Sequence, residues 1–234
     1  MRQNPSPMGT QARQPRKVLV LDVGGTHVKM RASGQRADRQ FDSGPALTAE
    51  QMVEKVQALS RGWRYDAISI GYPGVVLHGK PVIEPHNLGC GWVGFDYEKA
   101  FGKPVRMIND AALQAIGSYK RGRMLFLGLG TGLGSALIVD GVIAPTELAH
   151  LPYKRGRSYE GYLGERARKR LGTKKWRKAV DDVVERLSAA LEVDDVVIGG
   201  GNARRLQRLP KNARRVSNSK AFIGGLRLWQ TPVS

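Results

Sequence analysis

Several groups of residues in this chain have the types and spacing to do chemistry. The run from Leu125 to Val139 reads as two apolar strands folded about Gly130, Thr131, Gly132 and Gly134. Glycines there are expected to take positive φ and to leave amide N–H groups bare to one anion, with the Thr131 hydroxyl adding a hydrogen bond. The segment from Val18 to Asp22, the turn Gly24-Gly25-Thr26 and the strand carrying Lys29 and Arg31 repeat that plan, with the two turn threonines 105 positions apart. A phosphate-type hairpin recurring at domain-sized separation predicts two related lobes with a phosphoryl donor between them. Either hairpin alone is also an ordinary strand connection.

Acid–base chemistry has its own candidates. Asp110 follows Asn109 at the start of the helical run Ala111 to Ile116. It reads either as a helix N-cap or as a general base held ionised by the helix N-terminus. Glu147 and His150 stand three apart, so one helical turn presents a carboxylate and an imidazole to the same polyhydroxy ligand. The alternatives are a solvated charge and a structural histidine. Gly199-Gly200-Gly201-Asn202 joins a strand to a helix start, a pattern that holds a phosphate or lets a nucleoside approach the backbone.

The elements positioning these residues follow from periodicity. Strands are expected at 17–22, 66–71, 103–108, 195–198 and 214–217, besides those of the two hairpins. Helices are expected over 48–59, with a Thr48–Gln51 capping box, and over 111–116, 158–171, 173–191, 203–209 and 220–229. The Gly224-Gly225 pair weakens the last of these. Residues 76–95 form a long Gly-, Pro- and aromatic-rich loop of the kind that binds ligands.

Composition narrows the class. With 234 residues and 41% hydrophobic content the chain can bury a core, and its single cysteine, Cys90, excludes a disulfide framework or multi-cysteine zinc site. No run reaches the ~18 apolar residues of a membrane span, so a cytoplasmic protein without membrane partners is expected. Residues 1–16 read as a disordered basic arm. The net charge of +18 implies attraction to polyanions or, equally, an arginine-rich solvated surface.

The chain resembles the ROK (repressor, open reading frame, kinase) sugar-kinase family and, within it, the polyphosphate glucokinases. The likeness rests on Asp22-Val-Gly-Gly-Thr26 with Lys29, Tyr72-Pro-Gly74, Asn87 with Trp92, Asn109-Asp110, Leu129-Gly-Thr-Gly-Leu-Gly134, Glu147-Leu-Ala-His150 and Gly199-Gly-Gly201. The resemblance implies an α/β fold of two ribonuclease H-like, actin/hexokinase-like lobes about a central cleft. The N-terminal lobe would span 17–110, with the C-terminal helix (219–234) packing back on it, and the second lobe 111–218. It further implies Asp110 as the base for a sugar 6-hydroxyl, and Asn87, Asn109, Glu147 and His150 as hexose ligands. Gly24, Gly25, Thr26, Lys29, Gly130, Thr131, Gly132, Gly200 and Gly201 would hold the donor, and Asp22 would lie near a donor-bound Mg²⁺, reached through phosphate or water. A homodimer is implied as well.

Two departures bear on the subfamily. No cysteine cluster follows His150, an absence shared with polyphosphate glucokinases, and Ala149 stands where the Glu-x-Gly-His element has glycine. Glucose with polyphosphate or ATP is the expected substrate pair. A long polyphosphate would need a basic track, for which Arg31, Lys120, Arg121, Arg123, Lys154, Arg155 and Arg157 are candidates. ATP would need an adenine pocket near 199–202. A kinase of fructose or N-acetylmannosamine is an alternative. A nucleic-acid-binding regulator is a weaker one, because the proline-bearing arm is too short for a helix-turn-helix.

Overall fold

The computed structural model describes residues 17–230. The basic arm expected over 1–16 and the last four residues of the C-terminal segment lie outside the described residues.

The first half of the chain forms β1 (Val18–Val23), β2 (His27–Ala32), β3 (Arg39–Asp42), α1 (Ala49–Leu59), β4 (Ala67–Tyr72), β5 (Val76–Leu77), β6 (Lys80–Pro81), α2 (Tyr97–Phe101) and β7 (Val105–Asn109). Its main sheet has the order β3-β2-β1-β4-β7, with β2 antiparallel to both neighbours and β1, β4 and β7 parallel. The inner strands β1 and β4 are nearly continuous apolar runs because both of their faces are covered. Helix α1 begins with the expected reciprocal Thr48–Gln51 capping box.

The second half forms α3 (Asp110–Ser118), β8 (Arg123–Leu129), β9 (Leu133–Val139), β10 (Val142–Thr146), β11 (Pro152–Lys154), β12 (Arg157–Ser158), α4 (Glu160–Leu163), α5 (Glu165–Leu171), α6 (Thr173–Leu191), β13 (Asp195–Gly199), β14 (Ala213–Arg215) and α7 (Lys220–Arg227). Its sheet, β10-β9-β8-β13-β14, repeats the order and strand directions of the first. The similarity of the two hairpins in sequence is thus a similarity of two whole sheets. Trp176, Val180, Val184 and Leu187 on α6 are buried against the second sheet. Burial of each such side chain stabilises by about 1.5–3 kcal/mol.

Helices α3 and α7 cross at very short range. A Cβ on Gly224 would stand 1.8 Å from the Leu113 carbonyl oxygen, and one on Gly117 would stand 1.9 Å from that of Lys220. The glycine pair that lowers helix propensity is therefore what lets α7 lie against α3, with Gly225 fitted over Val20 of β1. Ser69 of β4 donates to the Gly225 carbonyl at 2.7 Å and accepts from Trp229 Nε1 at 2.9 Å, tying this helix to the first sheet.

Some expected elements differ. The single helix expected over 158–171 breaks at Gly164, whose extended backbone (φ −67°, ψ 167°) separates α4 from α5. A side chain there would meet the Thr131 carbonyl oxygen at 3.0 Å. The helix expected over 203–209 is one 3-10 turn, Ala203–Arg205, ahead of Pro210. The last strand is displaced to 213–215, β5 and β6 emerge from the segment expected as a loop, and β3 forms where no element was expected.

Candidate active site

Strand register brings the acidic groups together. Asp22 on β1 lies level with Lys29 on β2, Gly71 on β4 and, through Gly71, Ile108 on β7. Two residues beyond Ile108 the chain enters α3. A Cβ on Gly71 would stand 3.4 Å from Asp110 Cα and 2.7 Å from Leu113 Cδ2, so the bare backbone of Gly71 is what lets the helix start across the sheet end.

The cap of α3 is Asn109, not Asp110. Asn109 Oδ1 accepts from the Ala111 and Ala112 N–H groups at 2.9 and 3.2 Å, and its Nδ2 donates to the Gly74 carbonyl at 3.1 Å. Asp110 is thereby left at the first helical position, with its Oδ1 accepting from the Ala111 N–H at 2.7 Å. Burial, the nearby Asp22 charge and the Glu147 charge push its carboxyl up to about 7, against the opposing pull of the Ala111 N–H. The expectation of a carboxylate held ionised by the helix end is corrected: desolvation and two like charges outweigh the helix terminus. Burial also raises Asp22, to about 6, with Lys29 pulling the other way.

The hairpin glycines do not use positive φ. Gly24, Gly25, Gly130, Gly132 and Gly134 all lie outside that region, so their value is the missing side chain. In the first hairpin the Gly24 N–H donates to the His27 carbonyl at 3.0 Å, and Ser43 Oγ holds the Gly24 carbonyl at 2.6 Å. A Cβ on Gly25 would stand 3.0 Å from Asn87 Cβ, which places Asn87 against this turn. The loop delivering Asn87 is folded about Glu84, whose carboxylate accepts from the N–H groups of Gly91, Trp92 and Val93. The buried Trp92 donates to the Leu47 carbonyl at 3.3 Å.

The second hairpin lies beside α3: a Cβ on Gly134 would stand 2.9 Å from Ala111 Cβ. It is held from behind as well. The Glu165 N–H donates to the Gly130 and Thr131 carbonyls, both at 3.1 Å, and Asn202 donates to Leu129 O (2.9 Å, backbone) and Gly130 O (3.2 Å, Nδ2). Glu160 Oε2 accepts from the Leu133 N–H at 3.1 Å and would meet a Gly132 Cβ at 2.3 Å. Thr26 and Thr131 are exposed at the two tips.

Gly200 has φ +82°, and a Cβ there would lie 2.3 Å from the Leu129 carbonyl oxygen, so this glycine serves the approach of backbone to backbone. Gly201 is exposed with open space at its Cβ position. Glu147 and His150 face each other, Oε2 to Nε2 3.8 Å, at a 3-10 turn in which Ala149 is buried without positive φ. The alanine is thus accommodated where a glycine was expected. Burial raises the Glu147 carboxyl, His150 opposes this, and Glu160 adds to it.

The basic track does not form as a unit. Arg31 pairs with Asp38 and stacks on Phe222, while Arg123 pairs with Glu192. Arg123 also begins β8, and the strand rise of about 3.3 Å per residue puts it, with Lys120 and Arg121, some 20 Å from the hairpin end. Lys154, Arg155 and Arg157 belong to the β11–β12 hairpin after His150. Sequence reasoning missed Glu84, Glu160 and Glu165, and it singled out Asn202 only as the end of the glycine run, not as a support of the second hairpin. Glu160 and Glu165 carry only the ordinary signal of an acid in a first helical turn, and nothing local marks Glu84.

Two sheets of one topology, each sending a glycine hairpin toward the acids at the β7–α3 junction, make up the two-lobe architecture of the actin/hexokinase type. The chain belongs to the ROK family, whose pattern matches residues 18–146. It is 31% identical over 178 residues to a polyphosphate glucokinase of Mycobacterium tuberculosis (strain CDC 1551 / Oshkosh), a match covering 70% of this chain and 66% of that protein. The chain therefore spans just under two thirds of that relative's length. The inorganic polyphosphate/ATP-glucomannokinase of Arthrobacter sp. strain KM superposes with a TM-score of 0.77 at 23% identity, covering 93% of this chain and 99% of the other. A ROK family glucokinase from Streptomyces griseus, in complex with glucose and AMPPNP, gives 0.70 at 17% identity, covering 91% and 98%.

Proposed function

We propose that this protein is a hexokinase-type phosphotransferase acting on the 6-hydroxyl of glucose, with polyphosphate, ATP or both as donor. The observation that carries the reading is the convergence of Asp22 and Glu147 on the buried Asp110, whose carboxyl both push up, between two glycine hairpins. The named activities of the relatives point the same way.

Phosphoryl transfer to an alcohol demands little covalent help, so the chain's work is placement and charge neutralisation. Asp110, at a pKa near 7, accepts the hydroxyl proton as the hydroxyl attacks the terminal phosphorus. Glu147 and His150 hold hexose hydroxyls from one side and Asn87 from the other. Asn109, its oxygen engaged in capping, contributes its remaining amide N–H. Gly25, Thr26, Thr131 and Gly132 offer amides and hydroxyls to donor oxygens, while Gly24 and Gly130, whose N–H groups close the turns on the His27 and Gly132 carbonyls, keep the approach to the donor free of side chains; Lys29 supplies positive charge, and Gly200 and Gly201 border the far end of the donor.

Mg²⁺ is typically bound by one or two carboxylates together with substrate phosphates. Asp22, a desolvated carboxylate beside the first hairpin, fits that mode, and among the described residues no cluster of three or more metal-ligating side chains occurs. When bound, the ion would neutralise donor charge.

The test is a matrix of glucose, fructose and N-acetylmannosamine against ATP and polyphosphate, with the product identified. Glucose 6-phosphate from polyphosphate is expected, with a KM for polyphosphate that rises steeply with ionic strength. Absence of a phosphorylated product from every combination contradicts the proposal.

A further inference from the structure

The β11–β12 hairpin and the start of α6 enclose an open groove of about 430 Å³ lined by Tyr153, Lys154, Arg155, Tyr162, Lys175 and Lys178 together with apolar side chains. Four of these six carry positive charge and none carries negative charge. The nearby Asp182 carboxylate is engaged by Lys154 Nζ (3.2 Å), Arg186 Nε (2.9 Å) and the Tyr153 hydroxyl. Arg155, Lys175 and Lys178 have no ion-pair partner among the described residues.

That arrangement costs stability in the free protein. Lys175 and Lys178 are exposed, lie three apart on α6, and are joined by Lys174 four residues before Lys178, while the first turn of α6 has no acid. Like charges at such spacings repel. A polyanion laid in the groove relieves the repulsion.

The groove is linked to the donor hairpin through α4. Tyr162 in its wall stands two residues after Glu160, whose carboxylate meets the Leu133 N–H at the second hairpin. Helix α4, which carries both, is four residues and so about 6 Å long. An extended anion that leaves the hairpin can therefore reach the groove.

We propose that this groove is a secondary anchoring site for the distal part of an inorganic polyphosphate chain whose end lies at the hairpins. The proposal rests on the kinase reading above and adds a place where chain length is sensed. Polyphosphate is favoured over nucleic acid because the Tyr153 ring has the Lys154 ammonium over it, 4.6 Å from its centre, and packs at right angles against Tyr162, ring centres 4.8 Å apart. Base recognition on single strands needs an open aromatic face.

Calorimetric titration in the absence of sugar tests this without turnover, so it stands apart from the kinase assay. The wild-type protein is expected to bind long-chain polyphosphate tighter than tripolyphosphate. K175E/K178E, with K175Q/K178Q as a milder variant, is expected to weaken the long chain about tenfold, with a shallower salt dependence, and to leave tripolyphosphate unchanged. Thermal unfolding checks that both variants fold. Unchanged long-chain affinity, equal weakening of long and short chains, or wild-type binding of single-stranded RNA tighter than polyphosphate of matching charge overturns the groove assignment. A groove that binds as expected in a protein that phosphorylates no hexose overturns only the kinase reading.

Discussion

The Asp22 carboxylate, at the end of β1, lies near enough to Asp110, at the first position of α3, to add to the burial that pushes the Asp110 carboxyl up to about 7, and burial pushes Asp22 itself up to about 6. The pair lies where β1, β4 and β7 end and the bare backbone of Gly71 lets the helix begin.

The pair fixes a pH dependence. Asp110 must be ionised to take a proton, so kcat/KM for the hexose is expected to fall about tenfold per unit below pH 7, and more steeply once Asp22 protonates below about 6. A pH–rate profile at saturating Mg²⁺ and donor checks this. A flat profile from pH 5 to 8 contradicts the assignment.

The same shift sets a stability trade. The Asp110 pKa in the folded chain lies above its ordinary 3.8, so its favourable contribution is complete below about pH 4 and lost as the pH rises through 7. Asp110→Asn removes the buried charge, and at pH 8 it is expected to be about 2–4 kcal/mol more stable than wild type, allowing for the partial exposure of the residue. The gap should close toward pH 4. Denaturant unfolding at the two pH values measures it.

Legibility in the sequence followed locality. The inner strands, the two hairpins, the Thr48 cap and the placement of Asp110 at a strand-to-helix junction are written in short patterns of apolar residues, glycines and caps. What depends on distant chain was not legible. Gly164 breaks a helix because the Thr131 carbonyl lies against it, and Gly224 looks like a helix breaker until Leu113 is seen beside it. The raised pKa of Asp110 comes from its burial and from the charges of Asp22 and Glu147, all set by chain far away in sequence. The basic track failed for the same reason: Arg31 and Arg123 are partnered by acids that spacing does not reveal.

Gly224→Ala tests the helix crossing. The new methyl would meet the Leu113 carbonyl at 1.8 Å, so α3 or α7 must move. A loss of about 3 kcal/mol is expected, or roughly 10 °C in Tm for a chain of this size. An unchanged melting curve would show that the crossing yields freely.

Asn202→Ala tests support of the second hairpin. It removes the amide that holds the Gly130 carbonyl from behind. KM for the phosphoryl donor is expected to rise about five- to tenfold, with KM for glucose unchanged. Equal changes in both constants would mean a general loss of structure.

Turnover of Asp110→Asn beside its affinity for glucose is the most direct test of the account. Loss of kcat by about 10²–10⁴-fold, with glucose binding by calorimetry within a few-fold of wild type, is the predicted result. Turnover close to wild type, in a variant that binds glucose normally, would contradict the assignment of Asp110 as the base.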